Sequence, residues 1–352
     1  MVVVPPRDPW YACDMRTQVH GAGTDSMSPG MFVVSLDLEL LWGMFDVATK
    51  ERYGARILGE HTVIPRMLDL FTRYGIHATW AVVGMLAAPD RVSLARLLPA
   101  IRPRYDHVQF SSYGHLESGV VGVDETDDPY HFGASLVARI REVPNQEVAC
   151  HTFSHYYCLE EGAGADCFRA DLVAWERALG ERARSIVFPR NQYDTAHLAV
   201  CAEAGIRAFR GTEESGWYAT VSTDGQYRLY KRLVRLVDSY LNVTGHHTYP
   251  LAEVLRITPR NVASSRFLRP YTRLPFLERR KVSRVLRSID HAAARGEVYH
   301  LWWHPHNMGI DQDENLASLE RICAHVAALR DQGRLVCCTM EEVAERAAHT
   351  LH

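Results

Sequence analysis

The sequence predicts an α/β protein built as a single (β/α) barrel, with inserted loops and helices around its mouth. Three observations predict it. Short apolar runs rich in Val, Ile, Phe and Trp alternate with helical stretches of ten residues or more, and their number suggests a closed ring of parallel β-α units. The length, 352 residues, suits one barrel domain. Polar residues able to do chemistry recur at the ends of the strand-like runs, where barrels of this kind place reactive groups.

The elements follow in order. Residues 1–30 become rich in Gly, Pro, Ser and Asp and read as a flexible leader without the pattern of a secretory signal. MFVVSLDLELL (31–41) is the first strand. In 61–75, Val63, Met67, Leu68, Leu70 and Phe71 recur at near-helical spacing, and Gly75 stops the helix. Strands are expected at 77–84, 147–153, 185–191, 206–211, 297–304 and 334–340. Helices are expected at 92–101, 168–180, 194–205 (capped by Asp194 or Thr195), 314–333 and after 340. The barrel is thus expected over 31–349. Two stretches interrupt the alternation and read as insertions. Residues 102–135 are aromatic, glycine-rich and acidic. Residues 251–295 carry eleven Arg or Lys against Glu253, Glu278 and Asp290, a local balance of +8.

Composition narrows the function. With 47% apolar and 23% charged residues the chain is of ordinary globular type, which excludes disorder, collagen and coiled coil for its bulk. Its apolar runs fall short of the ~20 residues of a membrane span. A net charge of −3, from 39 basic and 42 acidic residues, argues against nucleic acid as the partner. Eight cysteines without a C-x-x-C read as reduced thiols of a cytoplasmic protein. The 18 histidines stand out, since histidine ligates metals and moves protons near neutral pH.

The first strand places Val33, Ser35, Asp37 and Glu39 on one face and Val34, Leu36, Leu38 and Leu40 on the other. Two carboxylates at i and i+2 repel unless a cation, a proton or an arginine lies near. H-T-F-S-H at 151–155 offers His151 and His155 at i and i+4, able to reach one ion from a helical turn. Position 152 is Thr, which removes the H-E-x-x-H peptidase reading. Together with one carboxylate of the first strand, the pair suggests a two-histidine, one-carboxylate metal site. Arg190, in F-P-R-N-Q (188–192), could hold a carboxylate ionised. In Y-H-L-W-W-H-P-H-N (299–307), His300, Trp302 and His304 share a face; His304 is the proton-transfer candidate, with His306 as its alternative. Trp302 could wall a sugar ring, and the deeper His300 reads as a core residue.

Four strand ends therefore offer Asp-x-Glu, H-x-x-x-H, Pro-Arg and His-Pro in that order. The chain resembles the polysaccharide deacetylases, the NodB-homology carbohydrate esterases of family 4, from about residue 31 to 345. The similarity is greatest to the branch whose first motif reads S-L-D-L-E-L-L-W-G. H-T-F-S-H is the most specific match, while F-P-R-N-Q departs from the usual R-x-P-Y. The resemblance implies a distorted seven-stranded barrel. It also implies one divalent metal, zinc or alternatively cobalt, nickel or iron, held by Glu39, His151 and His155. Asp37 would be the base, Arg190 its orienting partner and His304 the acid. Asn191, Gln192, Trp302 and His247 are the expected substrate contacts. Asp238 could orient His304, 127–132 could cap a helix or touch substrate, and Trp42, Trp80 and Trp217 could stack on sugar or pack in the core.

The function this implies is removal of an N-acetyl group from an acetamido sugar in an intracellular glycan, sugar-nucleotide, lipid-linked or antibiotic precursor. The alternatives are another C–N hydrolase of the same superfamily, an O-deacetylase and a non-catalytic glycan-binding module. The basic 251–295 segment could meet phosphate groups or an anionic membrane surface, or form the solvated face of amphipathic helices.

Overall fold

The computed structural model describes residues 28–212 and 236–349. Most of the expected leader, and Trp217, lie outside the described residues. Among the described residues ten strands follow in chain order: β1 (Gly30–Leu38), β2 (Ala78–Val82), β3 (Gln146–Cys150), β4 (Ser185–Ile186), β5 (Ala208–Phe209), β6 (Tyr249–Pro250), β7 (Arg260–Asn261), β8 (Arg266–Phe267), β9 (Glu297–Trp303) and β10 (Leu335–Cys338). They form one sheet in which β9, β1, β2, β3, β4 and β5 run side by side and parallel.

The segment 260–268 closes that sheet on itself. β7 pairs with β5, and Val262 N and Ser264 N donate to Phe209 O and Gly211 O. On its other side Ser265 N and Leu268 N donate to His300 O and Trp302 O, and β8 pairs with β9. The ring is therefore seven-stranded, with this extended segment as its seventh member. β10 pairs with the first half of β1, on the side that β2 occupies higher up, and β6 lies antiparallel to the start of β9.

The alternation read in the first strand governs the packing. Phe32, Val34, Leu36 and Leu38 face outward, into a core shared with Val63, Met67, Leu68 and Phe71 of the helix Glu60–Tyr74. Val282, Val285 and Ile289 of Pro275–Arg295, and Leu319, Ile322 and Val326 of Gln312–Asp331, belong to the same core. Each such side chain contributes about 1.5–3 kcal/mol through its removal from water. Inside the ring, Val33, Ala81, Val187, Ala208, Val262 and Val298 form a second core with Met340, Val343, Ala344 and Ala347. The helix Met340–His349 thus plugs the base. Gly75 ends its helix at φ 61°, a left-handed geometry that a side chain disfavours. Asp194 is the cap of the helix Thr195–Glu203, receiving His197 N at 3.0 Å.

Two expectations need correction. Residues 251–295 are no insertion: they supply the strands that close the ring and the helix packed over β1 and β9. Their basic residues hid this because β7 and β8 are two residues each, too short to show alternation. The strand expected at 185–191 ends at Ile186, since the chain turns at Pro189, with Arg190 and Asn191 both at φ 53°. Among the described residues the cysteines are free, and no helix is long and apolar enough to cross a membrane.

Candidate active site

Parallel strands deliver their last residues to one rim of the barrel. Asp37 is the penultimate residue of β1, and Glu39 lies just beyond that strand. Leu40 then takes φ 47° and opens a short 3-10 turn over Leu40–Gly43. Gly43 permits this fold-back, because a Cβ there would land on the Glu39 carboxyl group.

His151 directly follows β3. The H-x-x-x-H segment is not the helical turn the spacing suggested. Thr152 and His155 adopt φ 61° and 54°, and this tight loop turns both rings the same way, with centroids 5.1 Å apart. Asp171, fully buried on the helix Ala165–Leu179, pins the loop. It accepts from Phe153 N at 2.5 Å and Ser154 N at 3.2 Å, and also from the Ser154 hydroxyl and from Tyr113 Oη at 3.2 Å. Burial nevertheless pushes its carboxyl up to about 6.

Among the described residues, one group has the donor atoms of a metal site: Glu39, His151 and His155, all buried, with ligand atoms within 4.8 Å of one another. Glu39 Oε2 lies 3.4 Å from His151 Nε2 and 3.1 Å from His155 Nε2. His151 Nδ1 lies 2.8 Å from Val187 O, which can only accept, so Nδ1 carries a proton. In the neutral ring Nε2 then aims its lone pair at the same point as the Glu39 carboxylate. Two imidazole nitrogens and a carboxylate converging in this way fit a divalent cation. Burial pushes the His155 imidazole down, against the pull of Glu39. For Glu39, burial opposes ionisation, but His304, His151 and His155 outweigh it and hold the carboxyl well below its ordinary range.

Asp37 has a different partner from the one expected. Arg210 Nη1 and Nη2 each donate to one Asp37 oxygen at 2.7 Å, and Nη1 also reaches Ser35 Oγ at 2.9 Å. Arg210 is 1% exposed and lies 4.2 Å over the Trp302 ring. Burial would raise the Asp37 pKa, but Arg210, with His151 and His304, brings it below the ordinary value. Arg190 instead pairs with Asp46, its guanidinium 4.1 Å over Tyr157 and 5.2 Å over Phe110. The turn at Pro189 is what carries it out of the ring.

His304 follows β9 and stands between the carboxylates, its Nε2 3.7 Å from Asp37 Oδ2 and 3.5 Å from Glu39 Oε1. It remains 24% exposed. His306 stacks on it at 4.9 Å but is buried and, through burial and the neighbouring His304, held down to about 3, so His304 is the histidine open to a ligand. His300 is a core residue, bonded to Val262 O and Ser35 Oγ. Trp302 is half-buried beside His304.

A family model of polysaccharide deacetylases matches residues 42–209. That region belongs to the polysaccharide deacetylase family. Within this deacetylase domain the match contains His151 and His155; Asp37 and Glu39 precede it, and Arg210 and His304 follow it. A Mycobacterium smegmatis protein assigned as a polysaccharide deacetylase superposes with a TM-score of 0.58 at 13% identity, covering 95% of this chain and 96% of that one. One from Pseudomonas aeruginosa gives 0.48 at 12% identity, over 92% and 91%. A family 4 carbohydrate esterase from Streptomyces lividans, in complex with acetate, gives 0.38 at 12%, over 88% and 91%. At such identities the likeness is one of fold. No curated protein matches the sequence.

Several expected contacts lie elsewhere in the deacetylase fold. Gln192 is fully buried, accepting from Leu159 N and donating to Glu160, so it braces a loop. Asn191 sits on the Arg190 turn, outside the cluster. His247 accompanies Thr248, Tyr249 and Asn261 around a separate cavity of about 300 Å3. Asp238 pairs with Arg266 at 3.0 Å instead of His304. Asp128 holds Gly122 N and His131, and His131 O receives Trp42 Nε1 at 2.7 Å, so 127–132 buttress the turn after Glu39. Trp42 and Trp80 are fully buried.

The sequence reading missed Arg210. Its signal was an arginine sharing the inward face of a short apolar strand with Ala208. It missed Glu60 as well: buried, with neither oxygen partnered among the described residues, its carboxyl is held well above its ordinary range by burial and by Glu39.

Proposed function

We propose that this chain is a metal-dependent hydrolase that removes an N-acetyl group from an acetamido sugar. The observation that carries the reading is the convergence of Glu39, His151 and His155 on one point, beside an Arg210-clamped Asp37 and a partly open His304. Glu39 Oε2 and the Nε2 atoms of His151 and His155 would hold a divalent cation such as zinc, which when bound supplies Lewis-acid polarisation of the acetyl carbonyl and acidifies water.

The side chains divide the remaining work. Asp37 takes a proton at Oδ2, the oxygen that faces His304. Arg210 keeps that carboxylate ionised and fixes its plane through the paired hydrogen bonds. His304 Nε2 holds the proton that the departing amine nitrogen requires, since an amide nitrogen leaves poorly as an anion. Trp302, one face already covered by Arg210, lies beside His304 where a sugar ring would rest.

The test is acetate release from N-acetylated sugars by protein of measured zinc, cobalt, nickel and iron content. The reading expects loss of activity with chelator, recovery on adding back a divalent metal, and loss in Asp37→Ala with ligand binding retained. Full activity in metal-free protein would overturn it in favour of a metal-independent C–N hydrolase. Release from O-acetylated sugars alone would make the enzyme an O-deacetylase.

A further inference from the structure

The helix Pro275–Arg295 borders a cavity of about 430 Å3 that shares no residue with the cluster at the rim. Four arginines line it, Arg279, Arg280, Arg284 and Arg287, together with Asn242 and Ser283, and among the described residues no carboxylate does. Elsewhere on the surface, arginines meet acids: Arg66 with Asp313, Arg73 with Glu320, Arg169 with Glu203, Arg207 with Glu345. Among the described residues Arg279, Arg280 and Arg287 have no such partner, although all three stand on one helix, Arg287 about two turns beyond Arg280.

The acids of that helix are committed elsewhere. Glu278 binds Lys281 at 2.9 Å and Ser318 at 2.6 Å, and Asp290 binds His325 at 2.8 Å. Arg284 forms the wall: it is 3% exposed and bonded to Ser288 Oγ at 2.6 Å and Asn242 Oδ1 at 3.0 Å. Arg280 lies 4.5 Å over the Phe276 ring, which orients its guanidinium. Like charges this close repel, and a bound anion relieves the repulsion. A concave site of this volume suits a small group rather than a polymer, and three uncompensated guanidinium groups match the charge and the fork geometry of a diphosphate.

The helix begins at the rim. Phe267, which ends β8, packs 4.8 Å from Trp302 and 6.1 Å from His304, and the helix starts eight residues later. We propose that this cavity binds the phosphate groups of a phosphorylated ligand. Resting on the deacetylase reading, the ligand is the carrier portion of the sugar substrate.

Calorimetry with inorganic pyrophosphate tests the site without reference to catalysis. Wild-type chain is expected to bind, and Arg280→Ala/Arg287→Ala to bind at least tenfold more weakly. Both positions are exposed, so the fold should survive; pyrophosphate should raise the melting temperature of the wild type alone. Absence of wild-type binding, or equal binding by the double variant, overturns the proposal. Vesicles of phosphatidylcholine with and without phosphatidic acid distinguish the source. Acid-dependent binding displaced by pyrophosphate assigns a lipid phosphate, and pyrophosphate binding without vesicle binding assigns a soluble one. For the carrier role, kcat/KM on a diphosphate-linked acetamido sugar should fall at least tenfold in the double variant while the free sugar is unaffected. Equal effects on both sugars overturn that role. If neither sugar releases acetate, the deacetylase reading fails and the calorimetry still judges the site.

Discussion

Arg210→Met separates the base from its setting. Both Asp37 oxygens take 2.7 Å hydrogen bonds from this single guanidinium, and both side chains are buried. Removing one partner of a buried ion pair costs about 3–5 kcal/mol, because the remaining charge has neither partner nor water. Asp37 can escape that penalty by taking up a proton. At about 1.36 kcal/mol per pK unit, the same energy equals an upward shift of about 2–4 units. His151 and His304 still favour the carboxylate, so the lower end is expected. A raised carboxyl pKa leaves the base protonated at pH values where the wild type is ionised. The acid limb of the kcat/KM profile for acetate release therefore moves to higher pH, by about 2 units. Arg190→Ala is the comparator: its guanidinium pairs with Asp46, so the limb should stay in place. Thermal unfolding of both variants reports whether the fold is retained. A folded, active Arg210→Met enzyme with its acid limb at the wild-type pH would refute the assignment of Asp37 as the base.

Gly43→Ala puts a methyl group on the Glu39 carboxyl position; metal titration should show affinity weakened by about tenfold or more with circular dichroism unchanged, and wild-type affinity would remove Glu39 in this rotamer from the ligand set. Asp171→Ala leaves Phe153 N and Ser154 N unsatisfied in the core, and urea unfolding should register a loss of about 3 kcal/mol or more; a loss below about 1 kcal/mol would show that the loop is held by other contacts. Asp238 links stability to pH. Burial would raise its carboxyl, but Arg266 and the Thr244 and Val243 amides outweigh this and hold it at about 2, against an ordinary 3.8. Its contribution, on the order of 2 kcal/mol, is present above pH 4 and lost as pH falls through 2. Denaturant titrations should therefore find the wild type weakening across that window and Asp238→Asn weakening less; equal slopes would contradict it.

What the sequence revealed depended on how local the signal was. Asp37 and Glu39 were legible because period two sorts β1 into a packed and a reactive face within one short run. His151 and His155 were legible from spacing, although the left-handed residues that aim them were not. Arg210 meets Asp37 only because the ring brings β5 across from β1, and a partner 173 residues away has no local mark. Arg190 showed the converse: a strand-like run with Pro-Arg at its end looked inward-facing until the turn at Pro189 redirected it. The closing strand escaped notice because 260–268 divides its pairing between two neighbours, two residues at a time.

The sheet order also sets a timetable for synthesis. β1 is flanked by β9 and β10, both made late, and Ser35 waits for His300, 265 residues further on. At about 5–20 residues per second, that interval lasts roughly 13–50 seconds. For most of it the strand bearing Asp37 has an unpaired edge, and its outward apolar face has the helix Glu60–Tyr74 but neither of the later helices, Pro275–Arg295 and Gln312–Asp331, that complete its cover. The nascent chain therefore carries an exposed, aggregation-prone strand for most of translation. A ribosome-associated chaperone that shields apolar segments should engage this protein early, and release it only after Trp303 has emerged.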